Sequence, residues 1–111
     1  MKDVYRTAGS LALLWTALLI AGPVFEELLF RGFMFRGIQA SRLGSGGAMV
    51  ITALTWAALH AGYDLWDLVV VLAGGLLLGV ARVKSDSVYV TIGMHSLWNL
   101  IATIEVALLA A

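Results

Sequence analysis

Long apolar runs broken by short polar stretches make up almost the whole chain. No charged residue lies between Arg6 and Glu26, and further apolar segments follow over 24–40, 46–61, 65–82 and 88–110. The breaks read SRLGSGG, AGYD and KSDS. Strands of a membrane barrel would alternate polar and apolar over about ten residues. These runs are longer, rich in Leu and Ala, and lack that alternation. The pattern predicts helices, which satisfy their own backbone groups in lipid. A single helix over 7–40 would be about 51 Å long, too long for a hydrocarbon layer of about 30 Å without tilt or protrusion. Gly22-Pro23 supplies a break or sharp kink, because Pro is favoured at a first helical position and Gly marks a turn before it. A full break yields five spans. It puts Lys2, Arg6, Arg36, Arg42, Arg82 and Lys84 on one side, against Asp64 and Asp67 on the other. One long helix moves Lys2 and Arg6 across. The excess of Lys and Arg on cytoplasmic loops therefore favours the break, with the basic side cytoplasmic. The expected fold is an all-α polytopic bundle of four to five spans, a single domain over 1–111. Lys2 and Arg6 ahead of an apolar run mimic a secretory signal, but the later segments hold the chain in the membrane regardless.

Composition agrees with this. The chain is 61% hydrophobic with a mean hydropathy of +0.95, well above the apolar share of soluble domains. Zero net charge excludes nucleic acid as a partner, since that would call for a basic face. The absence of cysteine excludes disulfides and thiolate chemistry. Gly75 and Gly79 have the small-xxx-small spacing of closely packed membrane helices.

Against that background the stretch GPVFEELLFRGF, residues 22–33, is anomalous. A charge at the centre of a membrane helix costs about 2.5–3.5 kcal/mol on insertion scales, and here there are three. Glu27 and Arg31 are four apart, so they stack on one face and neutralise each other. Glu26 points about 100° away, and its own fourth neighbour is Phe30. It is a carboxylate left over, and intramembrane ionisable groups mark functional sites. The two histidines also fall in apolar segments. His60 ends TWAALH, four after Trp56. His95 opens HSLWN, four before Asn99. The segment boundaries put these clusters at depths that let them converge in one cavity. Glu105, late in the last segment, is expected at an interface or between subunits.

A carboxylate and an imidazole facing one water make a general base and its orienting partner. An imidazole and a carboxamide one turn apart make two donors for a developing oxyanion. No Ser, Thr or Cys stands out as nucleophile, so water is the expected attacker and acyl-bond hydrolysis inside the membrane the expected reaction. Glu26, His60 and His95 could also hold zinc with an open position. HExxH is absent, the same residues suit a metal-free mechanism, and the metal-free form is favoured. Two alternatives stay open: a non-catalytic immunity or scaffold protein of the same fold, and a small proton-conducting protein using Glu26, His60 and His95 as a relay.

EELLFRG, WAALH and HSLWN together resemble the three-motif signature of the CPBP family, the CaaX-prenyl-protease and bacteriocin-processing proteins also called Abi, often described as intramembrane metalloproteases. The resemblance covers residues 22–100 and matches in order and spacing, with Trp56 where Phe is usual. It implies that Glu26 and His60 activate water, that His95 and Asn99 stabilise the oxyanion, and that Glu27 and Arg31 support them. It implies a lipid-bilayer setting, a prokaryotic cytoplasmic membrane, and a peptide or prenylated protein as substrate. Family members commonly carry further membrane helices before the first motif. The chain is expected to be a minimal version or a fragment, or else to take its missing walls from a homo-oligomer or from helices of a partner.

Overall fold

The computed structural model describes residues 2–110, apart from the side chain of Tyr5. Five helices follow in order: α1 Lys2–Thr7, α2 Leu11–Gln39, α3 Gly44–Ala58, α4 Leu65–Ser85 and α5 Val88–Ala110. Short connections make successive long helices antiparallel. Ser10 starts α2, its hydroxyl accepting from the Leu13 amide in an N-cap. Asp64 caps α4 in the same way, through Asp67. At the far end of α4, Asp86 takes a left-handed conformation at φ 50° and stops the helix.

The expected break at Gly22-Pro23 does not occur. Proline should disrupt a helix by lacking an N–H and by pressing on the carbonyl four residues back. Here a wider π-turn over Ala17–Ala21 precedes it, and the Gly22 amide reaches back to the Ala17 carbonyl. That turn absorbs the proline, and α2 runs on as one helix. A second π-turn covers Leu28–Met34.

Of the four to five spans expected, three are met among the described residues. Three helices, α2, α4 and α5, are long and apolar enough to cross a membrane. With its 15 residues, α3 reaches only about 22 Å. One continuous α2 also leaves Arg36, Arg42, Arg82 and Lys84 at one end of the bundle and carries Lys2 and Arg6 to the other. The single-sided basic pattern that a five-span chain would show is absent.

The interior is inverted relative to a soluble domain. Glu27, Arg31, Arg82, His95 and three threonines are buried, while Phe33, Tyr89, Leu13 and Leu108 are exposed. In lipid such apolar faces are solvated and the polar groups must find partners inside. The chain is an integral membrane protein. Phe30, Trp56, Val71 and Leu78 form the apolar core, with Met34, Met94 and Trp98 packed against it.

Close approach of α3 and α4 depends on glycine. A Cβ on Gly75 would meet Ala53 and Trp56 at 3.1–3.2 Å, and one on Gly79 would meet Met49 at 3.2 Å. At Gly74 it would overlap the Trp98 ring of α5. Gly74→Ala is therefore expected to destabilise the bundle by about 1–3 kcal/mol, read as a lower melting temperature in detergent. Gly37→Ala, where a Cβ meets nothing, serves as the control and is expected to leave the bundle intact.

Candidate active site

Both π-turns release a carbonyl, and another helix takes each one up. In a regular α-helix the Gly22 amide would bond the Leu18 carbonyl. It bonds Ala17 instead, and Pro23 has no N–H to offer. The Asn99 side chain of α5 donates to Leu18 O at 2.7 Å. In the second turn the Phe35 amide reaches Phe30, passing over Arg31. Arg82 Nε of α4 donates to Arg31 O at 2.9 Å, and its Nη1 pairs with Asp86 at 3.0 Å. Such π-turns are frequent at functional sites, and the polar cluster lies between these two.

At the centre is a fully buried ion pair. Arg31 Nη1 lies 3.0 Å from Glu27 Oε2, with both side chains 0% exposed. Arg31 Nη2 donates to the Gly75 carbonyl at 3.0 Å, a contact the small residue at 75 permits. The same Glu27 oxygen accepts from His95 Nδ1 at 2.9 Å. The other ring nitrogen of His95 lies 3.4 Å from Glu26 Oε2. The adjacent carboxylates leave α2 on different faces, and one imidazole from α5 bridges them. Glu26 is thus not the isolated carboxylate its helical spacing implied. It also accepts from the indole N–H of Trp56 at 3.3 Å.

His60 sits in the turn that ends α3. Its Nδ1 contacts the Trp56 carbonyl at 2.9 Å. A carbonyl only accepts, so this bond assigns the proton to Nδ1 and leaves Nε2 as an acceptor. The shortness of α3 sets its depth. Starting from Gly44, the helix ends about 21 Å in, and Glu26 is about 20 Å along α2 from Gln39. A full-length α3 would have carried His60 past that level.

Glu26, His60, His95 and Asn99 all line one cavity of about 590 Å³, together with Trp56, Tyr63, Asp67 and Glu105. Glu105 was expected at an interface. It is exposed and lines this cavity. A larger groove of about 900 Å³ lies at the basic end, lined by Phe33, Arg36, Arg82 and Tyr89, away from these residues. The sequence reading missed Trp56 as a donor and Arg82 as a partner of α2. The indole N–H of Trp56 was the available signal for the first, and nothing in the spacing of Arg82 marked the second.

Among the described residues no three of His, Asp and Glu come together closely enough to hold an ion. Each imidazole has its Nδ1 held, that of His95 by Glu27 and that of His60 by the Trp56 carbonyl.

In a helical membrane protein, a carboxylate, two imidazoles and a carboxamide lining one cavity are groups that hydrolysis by an activated water calls for. The profile of the type II CAAX prenyl endopeptidase Rce1-like family matches residues 8–101, and the chain belongs to that family. At family level it is a protease. No curated protein and no solved structure matches the chain.

Proposed function

We propose that the chain is the catalytic core of an intramembrane endopeptidase that hydrolyses a peptide bond with a water activated by Glu26, without a metal, and that its substrate is a prenylated CaaX-type protein tail. The observation that carries this reading is the convergence of Glu26 from α2, His60 from the turn after α3, and His95 and Asn99 from α5 on one cavity. In this scheme water donates one hydrogen bond to Glu26 and one to His60 Nε2, which aims its lone pair at the scissile carbonyl. Glu26 takes the proton as the C–O bond forms. His95, carrying a proton on each ring nitrogen with Nδ1–H on Glu27 and Nε2–H turned from Glu26 Oε2 to the substrate, and Asn99, through the amide hydrogen not committed to Leu18, donate to the oxygen as it gains charge. Glu26 then delivers the proton to the departing nitrogen as the C–N bond breaks. Water is added across the bond, giving a carboxylic acid and an amine. Glu27 and Arg31 hold His95 in place. The basic end of the bundle is assigned to the cytoplasm.

The test is cleavage of a farnesylated CaaX peptide by the protein in proteoliposomes, with an unprenylated peptide and a chelator arm alongside. The wild type is expected to cut the prenylated peptide with or without chelator. Failure to cut it, or loss of cutting on chelation, overturns the substrate or the metal-free mechanism respectively. Asn99→Ala is expected to slow turnover by about 10²–10³-fold, the usual loss for one oxyanion donor. It also strips Leu18 O of its donor, so a stability loss of about 1–3 kcal/mol is expected in the same variant. Unchanged turnover in Asn99→Ala would remove that residue from the oxyanion site.

A further inference from the structure

We propose that Trp56 is the positioning residue for Glu26: its indole N–H fixes one carboxylate oxygen so that the other faces the cavity. This rests on Glu26 acting as the base, as proposed above. A phenylalanine at this position would supply an aromatic ring and no hydrogen bond. Tryptophan adds one thing, a donor that cannot accept. That donor points at Glu26 Oε2, 3.3 Å away. His95 Nε2 approaches the same oxygen at 3.4 Å. Both contacts fall on Oε2 and neither on Oε1, so the carboxylate is held from one side with Oε1 left for water.

The ring is itself held on several sides. It is 3% exposed. The Arg31 guanidinium lies over its face, 4.8 Å from the centroid. Its edges meet His60 at 5.1 Å, His95 at 5.3 Å and Trp98 at 5.9 Å. Gly75 leaves room for it against α4. A rigid ring in contact with every charged or imidazole member of the cluster except Glu27 is a suitable reference for a carboxylate that is itself 31% exposed on its side chain. Without the N–H, Glu26 keeps only the His95 contact, and both its oxygens can trade places by rotation about the terminal bond, which is broad for carboxylates.

Two variants separate the donor from the packing. Trp56→Phe removes the N–H and part of the ring. Replacing Trp56 by β-(3-benzothienyl)alanine removes only the N–H and keeps the shape, so the test survives if Trp56→Phe fails to fold. Both are expected to lower kcat on the farnesylated peptide by about 10–100-fold, the range for a hydrogen bond to a charged group, with KM unchanged. A matching fall through KM alone, or kcat equal to wild type in the benzothienyl variant, overturns the proposal. A second measurement needs no activity. The four tryptophans give separate indole N–H resonances in detergent, and the Trp56 variants identify one of them. Glu26→Ala is expected to move that resonance upfield as its acceptor is lost. An unmoved resonance overturns the proposal even if the protein cleaves. A moved one upholds the hydrogen bond even if the peptidase reading fails.

Discussion

Glu26→Gln is expected to lower turnover of the farnesylated peptide to background while leaving the protein folded. The amide keeps the shape of the side chain and an acceptor for Trp56 and His95, so the cavity survives. It cannot take a proton from water at the moment of attack, and general-base catalysis is lost with it. Initial rates in proteoliposomes, with the melting temperature as a control for folding, make the comparison. A variant that keeps wild-type turnover would remove Glu26 from the chemistry and overturn its assignment as the general base.

Arg31→Ala is expected to destabilise the protein by about 3–5 kcal/mol, the usual effect of leaving one member of a buried pair alone. Three contacts go at once. Glu27 loses its guanidinium, the Gly75 carbonyl loses its donor, and the Trp56 ring loses the cation over its face. Glu27 keeps His95 as its remaining partner, and one of its oxygens already has no partner among the described residues. The double variant Arg31→Met with Glu27→Gln is expected to melt higher than Arg31→Ala, because no unpaired charge is then left inside. Thermal unfolding in detergent decides this. An unchanged melting point for Arg31→Ala would mean that the pair contributes nothing to stability.

Much of the site could be read before the fold. Helical spacing alone paired Glu27 with Arg31, and the structure has that pair at 3.0 Å. The spacing of Gly75 and Gly79 announced a tight helix contact, found against Ala53 and Met49. The last helix begins and ends where its apolar run does. Other features depended on backbone geometry that side-chain patterns do not encode. Gly22-Pro23 reads as a stop because a regular helix cannot carry proline cheaply. A π-turn removes that conflict, and no residue in Ala17–Ala21 advertises one. The consequence for Asn99 was equally hidden. Its side chain holds Leu18 O only because both amides that might have done so are diverted or missing. Ser10 did carry a legible start signal, since it is a good N-cap ahead of an apolar run, yet the stronger absence of charge from Thr7 onward drew the boundary too early. The end of α3 at Ala58 was obscured by Leu59 and Ala61, which extend the apolar run beyond the helix.

The central claim is that Glu26 drives water into a peptide bond inside the membrane. It is tested most directly by cleaving the farnesylated CaaX peptide in H₂¹⁸O and weighing the released fragment. The account predicts one ¹⁸O in the new terminal carboxylate with wild-type protein, unchanged by chelator, and no fragment with Glu26→Gln. Fragment of the same mass and yield from Glu26→Gln, or a fragment without the label, would contradict it.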